Sequence, residues 1–174
     1  MRVLGPITLT DTLIDWGLHE ALGRQGQQLT TEIRQLLSSP NFPVTSLKIL
    51  LNSRWPLIAP ILAAYPESCS RVECLPKDQG VLRVLGRPSV SLIDLVSDRK
   101  NTFAQDDTWI RKLEADQGDI AGPFLGVARS LDGPFTLFDG VHRAVAWLRH
   151  AEKGRNYPIT LNLILTRQSV SEWE

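Results

Sequence analysis

The sequence has little cysteine, and this shortage limits the metal and redox chemistry that the chain supports. Cys69 and Cys74 are the only cysteines among 174 residues, and no histidine lies in the segment around them. Two thiolates are too few to form a zinc site by themselves, and disulfides are rare in cytosolic proteins. We therefore expect two reduced thiols with a structural role.

Net charge is also lacking, because 19 lysine and arginine residues balance 19 aspartate and glutamate residues. Proteins that hold duplex DNA through many backbone phosphates usually carry a basic face. The balance disfavours an extended nucleic-acid interface, whereas a small phosphorylated ligand needs far less positive charge.

A long apolar segment is missing as well. The sequence has no run of about 18 apolar residues that would serve as a membrane span, and its first six residues lack the apolar core of a signal peptide. We expect a cytoplasmic protein with no membrane partner. A hydrophobic content of 43% and a charged content of 22% are typical of a folded globular chain.

The first half of the sequence has the apolar spacing of short helices. Capping residues precede apolar positions at helical spacing near residues 10–22 and 30–37. Beyond Pro43, two further short helices are predicted at 46–51 and 56–65, and Pro60 breaks or kinks the second. Residues 1–88 are therefore predicted to form a mainly helical region, with one short strand at 81–85. Docking of another protein chain is one role open to this region.

The second half, residues 89–174, alternates between strand and helix patterns. Two runs rich in aromatic and branched residues flank the turn signal Asp132-Gly133 and predict a hairpin. The predicted order is strand, helix, hairpin, helix and strand, over residues 90–96, 106–118, 124–138, 142–153 and 159–166. This order indicates an α+β domain with a small mixed sheet.

The run from Phe138 to Arg143 passes from a predicted strand into a predicted helix and has the strongest chemical pattern. Such a turn gathers unpaired backbone N–H groups at a helix N-terminus, which attracts anions. Gly140 can adopt a positive φ and let a phosphate approach the main chain, while Arg143 can donate two hydrogen bonds to phosphate oxygens. His142 adds a donor whose charge is adjustable near neutral pH. Asp139 repels phosphate unless it binds a metal ion, accepts a hydroxyl group or caps the helix.

A purely structural interpretation of the same run is also open. In it, Asp139 caps the helix, Gly140 serves a tight turn, and His142 and Arg143 are solvated residues of the first turn. The placement between a strand and a helix favours the phosphate interpretation, because this context is the one in which phosphate loops occur.

At these residues the sequence resembles the ParB/sulfiredoxin superfamily. Asp139-Gly140-Val141-His142-Arg143, followed by a helix, is similar to the Asp-Gly-x-His-Arg signature of that fold, and the order of elements over the C-terminal half is similar too. The resemblance implies a ParB/sulfiredoxin-like fold for residues 89–174. It also implies that the loop, including Val141, binds a nucleotide or phosphate, as in CTP-binding clamps, sulfiredoxins, free-serine kinases and nuclease-like members.

The departures from the signature separate these subfamilies. Val141 stands where sulfiredoxins carry their cysteine, which excludes their thiol chemistry. Partition proteins have Gly-Glu-Arg-Arg in the loop and a following helix-turn-helix, whereas the sequence printed here ends soon after the last predicted strand. The serine kinases match except at Val141, but their catalytic glutamate lies after the first strand, where this chain has Asp94 and Asp98.

Three functions follow as expectations. The first is a nucleotide-dependent phosphotransferase or nucleotide hydrolase that uses ATP, ADP or CTP with Mg²⁺. In it, Asp94 or Asp98 is the general base, Asp139 holds the metal ion, and His142 and Arg143 contact the phosphate. A second interpretation of Asp94 and Asp98 is that each is a solvated surface charge. The second is a nucleic-acid-binding protein or nuclease, and the third is a catalytically silent protein that binds a partner through residues 1–88. The neutral charge favours the first.

Overall fold

The structure of the protein is a computed structural model. It describes residues 1–13, 15–16, 59–61, 63–64, 66–84, 87–97, 108–115, 120 and 123–168. These residues form a mixed α+β structure around a seven-stranded sheet. The strands are β1 (Arg2–Ile7), β2 (Pro66–Cys74), β3 (Leu82–Val84), β4 (Arg87–Ser91), β5 (Phe124–Ala128), β6 (Phe135–Asp139) and β7 (Ile159–Thr166). The helices are α1 (Leu92–Ser97), α2 (Thr108–Ala115) and α3 (Val141–Glu152), with a 3-10 helix at Pro76–Val81. Residues 9–13, 15–16, 59–61 and 63 are also helical.

The sheet is mixed, and its strand order is β1-β2-β7-β5-β6-β3-β4. The pairs β5–β7 and β3–β6 are parallel, and the other neighbouring pairs are antiparallel. The predicted hairpin is confirmed as β5 and β6, and the predicted helices and last strand of the second half appear as α2, α3 and β7.

Strands from the first half belong to this same sheet. β2 pairs with β7, and β3 pairs with β6, so hydrogen bonds cross the boundary predicted at residue 88, which itself falls inside β4. The mainly helical character predicted for residues 1–88 is not confirmed in their described part, which contains strands as well as helices. Residues 17–58, where most of the predicted helices fall, lie outside the described residues.

The strand predicted at 90–96 is correct at residues 90–91, which end β4, and wrong at 92–96, because residues 92–97 form helix α1. In a strand, Leu92, Asp94 and Val96 would all point to one face, and the carboxylate would lie between two apolar side chains. In the helix, Leu92 is fully buried and Val96 packs on the same core, whereas Asp94 is exposed. The spacing of four residues between the two apolar positions suits one face of a helix.

Apolar cores lie on both faces of the sheet. Helices α1, α2 and α3 cover one face, and Trp147 and Ile110 are buried in the same core as Leu137 and Leu161 of the sheet. The helical residues near the N-terminus and near residue 60 cover the other face, and the buried residues of that core are Leu13, Trp16, Ile61, Ala64, Cys69, Leu125, Val127, Phe138 and Ile164. All five residues of β5 are buried, since this central strand contributes to both cores. Among the described residues, no helix has the length and apolar content that a membrane span requires.

Both cysteines are buried, and neither forms a disulfide. They lie on opposite faces of the sheet, Cys69 in the core beneath the N-terminal helical residues and Cys74 in the core beneath α3. Burial raises the pKa of both thiols, that of Cys74 to about 11 with a further contribution from the Asp78 carboxylate. The expectation of two structural thiols is confirmed.

Candidate phosphate-binding loop

The chain passes from β6 into α3 through one residue, Gly140. This glycine has φ 87° and ψ 11°, the left-handed conformation, and it is the N-cap of α3. Because the N-cap residue is a glycine, no N-cap side chain covers the N–H groups of the first helical turn. The sequence therefore predicted the strand-to-helix turn and the positive φ correctly.

Phe124 occupies the space that a side chain at position 140 would need. A Cβ atom added to Gly140 would lie 2.6 Å from Phe124 Cδ1 and 3.1 Å from Arg143 Nη2. The absence of a side chain at Gly140 thus lets the ring and the guanidinium approach the main chain from inside. The ring and the guanidinium fill the space in which the sequence predicts a ligand phosphate, so a ligand has to approach the main chain from another side.

Arg143 is buried beneath the loop. Its side chain is 8% exposed, and its Nη2 atom lies 3.3 Å from Asp139 Oδ2 and donates to the carbonyl oxygen of Pro123 at 3.3 Å. Its guanidinium carbon lies 4.6 Å from the centroid of the Phe124 ring. The interpretation of Arg143 as a solvated first-turn residue is therefore wrong. This side chain connects the start of β5, the end of β6 and the first turn of α3.

Asp139 and Arg143 neutralise each other in this conformation. The Asp139 side chain is 16% exposed, so solvent screens the pair less than it screens a surface ion pair. The hydrogen bond that the structure gives to the Asp139 carboxylate comes from Arg143, four residues along the chain. A phosphate that bound Arg143 Nη2 directly would have to displace this carboxylate.

The donor set fits a magnesium ion poorly. Asp139 already accepts from Arg143, and among the described residues no three His, Cys, Asp or Glu side chains are grouped so that they could hold a metal ion. Magnesium binds through carboxylates and phosphates in near-octahedral geometry. The described residues around Asp139 therefore do not form a magnesium site.

His142 and Val141 occupy the two positions before Arg143. Successive helical residues point about 100° apart, so His142 faces a different direction from the inward-facing Arg143. His142 is half-buried, and Val141 is partly buried against the core beneath α3. Of the two polar side chains in the first turn of α3, His142 is therefore the more exposed one and Arg143 the buried one.

The register of the sheet does not bring the start of α1 to the loop. Ser91, the last residue of β4, is level with Arg83 of β3, which in turn is level with Thr136 of β6. Thr136 precedes Asp139 by three residues, about 10 Å along a strand. Helix α1 begins at the level of Thr136, and Asp94 is an exposed residue of its first turn. Asp98, the other candidate base, lies outside the described residues.

Sequence reasoning missed Phe124 as a residue of this site. The pairing of β5 with β6 shifts register between Leu125 and Gly126, and Leu125 is level with Asp139. Phe124 therefore lies beyond the end of β6, level with Gly140. No local signal in the sequence marks this contact, because it depends on the register shift between two strands.

No protein-family model, no curated protein and no solved structure matches the chain.

Proposed function

We propose that the chain binds the phosphate groups of a nucleotide at the loop Asp139–Arg143 and acts on them as a phosphotransferase or nucleotide hydrolase. The observation that carries this proposal is the turn at Gly140, which presents the N-terminus of the twelve-residue helix α3 without an N-cap side chain. Main-chain N–H groups and the helix dipole both favour an anion at such a point. The resemblance of the loop to the ParB/sulfiredoxin signature supports the choice of a nucleotide.

The loop residues divide into two roles under this proposal. His142 and the main-chain N–H groups of the first turn contact the phosphate. Arg143 holds the loop from inside, with its charge balanced by the Asp139 carboxylate. Asp139 orients Arg143 and accepts a substrate hydroxyl when the ion pair opens. The general base of the proposal is Asp94 or Asp98. We place the protein in the cytoplasm, where such ligands are abundant.

A thermal-shift screen tests this function. ATP, ADP, CTP, GTP and inorganic phosphate are each added with and without Mg²⁺, and a short single-stranded oligonucleotide is included as a nucleic-acid probe. A ligand at a hundred times its Kd adds about 2.7 kcal/mol of stability, which raises the Tm of a chain of this size by roughly 5–10 °C. We expect one nucleotide to give such a shift.

His142→Ala should remove the shift while Arg155→Ala retains it. Arg155 is exposed beyond the other end of α3, so this control removes a positive side chain without touching the loop. A Tm that no mononucleotide or phosphate changes would refute the proposal. A shift with the oligonucleotide alone would favour the nucleic-acid alternative.

A further inference from the structure

We infer that Phe124 is the positioning residue of the Asp139–Arg143 loop, an inference that rests on the phosphate-binding function proposed for that loop. Phe124 is the first residue of β5, and its side chain is completely buried. Nothing in the sequence pattern distinguishes it from an ordinary core residue. In the structure its ring contacts the loop at two points.

The first contact is with the main chain of the turn. The Cδ1 and Cε1 atoms of Phe124 lie 2.6 Å and 3.3 Å from the position that a Cβ of Gly140 would take. The edge of the ring therefore lies directly beneath the residue whose left-handed conformation begins α3. Movement of this turn toward the sheet is blocked by the ring, which restricts where the first-turn N–H groups point.

The second contact is with the guanidinium of Arg143. Its central carbon lies 4.6 Å from the ring centroid, a distance at which a cation is attracted to an aromatic face. The preceding residue, Pro123, accepts a hydrogen bond from Nη2 of the same side chain. The start of β5 thus contacts Arg143 through an aromatic face and a carbonyl oxygen, while the Asp139 carboxylate contacts it from the end of β6.

These contacts make the geometry of the anion site depend on one ring. Loss of the ring removes the support beneath Gly140 and the aromatic contact with Arg143 together. The rest of the core can still form, because Phe124 is one of many residues buried beneath α3. The free protein would then sample more conformations of the loop, and a ligand would bind more weakly because it must select the competent one.

Phe135 provides a matched control. It is also completely buried in the core beneath α3, and it begins β6, four residues before Asp139. Phe124→Leu and Phe135→Leu remove the same atoms from the same core. Only the first removes a ring that contacts Gly140 and Arg143.

The experiment compares the two leucine variants by three measurements. Chemical denaturation reports global stability, and titration with the nucleotide that stabilises the wild-type protein reports affinity. Amide hydrogen exchange over residues 141–144 of the free protein reports the loop, since the Ala144 N–H donates to the Gly140 carbonyl oxygen at 2.8 Å in the first turn of α3. We expect both variants to lose stability. Phe124→Leu alone should bind about tenfold more weakly and exchange faster over residues 141–144.

Wild-type exchange and wild-type affinity in Phe124→Leu would overturn the inference, and so would equal losses in Phe135→Leu. If the wild-type protein binds no nucleotide or phosphate, the proposed function fails, but the exchange comparison still decides whether Phe124 orders the loop. Should Phe124→Leu not fold, Phe124→Met supplies a flexible apolar side chain without a ring and takes its place in all three measurements.

Discussion

Gly140 is required for two separate physical reasons. Its φ of 87° lies in the left-handed region, which costs a residue with a side chain about 1–2 kcal/mol. A Cβ at this position would in addition lie 2.6 Å from the buried Phe124 ring, far inside van der Waals contact. The first reason can be inferred from the sequence of the turn, and the second follows only from the contact with β5.

Gly140→Ala should therefore lower the free energy of unfolding by about 2–4 kcal/mol, the sum of backbone strain and overpacking. Gly154→Ala is the matched control, because Gly154 also has a positive φ, 81°, but no atom lies within 4 Å of its added Cβ. The control should lose only about 1–2 kcal/mol. Urea denaturation of both variants measures the difference. Equal losses of unfolding free energy would show that the Phe124 ring does not clash with a side chain at position 140.

At the scale of elements, α3 has different roles at its two ends. Its N-terminal turn forms the candidate phosphate-binding loop, and its C-terminal half joins neighbouring elements. His150 is buried, its Nε2 lies 2.8 Å from the carbonyl oxygen of Glu114 in α2, and its Nδ1 lies 2.8 Å from the Tyr157 hydroxyl. A carbonyl oxygen can only accept, so Nε2 donates to it, and in the neutral ring Nδ1 accepts from the hydroxyl.

This link satisfies one of the carbonyl groups that the last turn of α2 leaves without an intrahelical partner. The Glu114 side chain adds ion pairs with Arg149 at 3.3 Å and Lys153 at 3.4 Å. The indole N–H of Trp147 donates to the Tyr157 carbonyl oxygen at 2.9 Å. Together these contacts attach α3 to α2 and to the segment that leads into β7.

The two histidines of α3 should therefore separate stability from binding. His150→Ala removes two buried hydrogen bonds and should cost about 2–4 kcal/mol of unfolding free energy, with nucleotide affinity unchanged in the folded fraction. His142→Ala should change stability by less than about 1 kcal/mol and abolish binding. Denaturation and nucleotide titration of both variants check this. Tyr157→Phe removes only the hydroxyl that hydrogen-bonds His150, and it should lower the unfolding free energy by about 1 kcal/mol. A loss of binding in His150→Ala would contradict the division.

At the scale of the whole molecule, the sheet joins the two halves of the chain. β7 lies between β2 and β5, and β6 lies between β5 and β3, so each has one neighbour from the first half of the sequence. Side-chain contacts on the face covered by the N-terminal helical residues also connect the two halves of the chain. Asn162 of β7 is buried and accepts a hydrogen bond from Arg71 of β2 at 2.9 Å, and Arg71 also pairs with Asp15 at 2.7 Å.

A fragment of residues 89–174 should consequently fail to fold cooperatively. It would leave β7 and β6 without the strands that cover their edges, and it would lose Trp16 and Ile61 from the second core. Circular dichroism with thermal unfolding and nuclear magnetic resonance dispersion of the fragment and of the full chain measure this. A fragment with a sharp unfolding transition and dispersed resonances would instead support an independent domain that begins near residue 89.

Prediction from the sequence succeeded where a feature depends on neighbouring residues. The aromatic runs around Asp132-Gly133 predicted the β5–β6 hairpin, the alternation over 159–166 predicted β7, and the apolar spacing after Gly140 predicted α3. Prediction failed for α1, β1 and β2. The segment that forms β2, Pro66–Cys74, is rich in Ser, Glu and Cys and has a weak period of two, so its strand conformation depends on pairing with β7.

The sequence by itself determined the turn at the end of β6, because a glycine between a strand and a helix is a local solution to a local change of direction. Only the tertiary structure decided what that turn contacts. The register shift between β5 and β6 brings Phe124 level with Gly140, and this ring then places Arg143 beneath the loop against Asp139. The physical reason is that strand register and burial are set by interactions between residues distant in sequence, which no local pattern encodes.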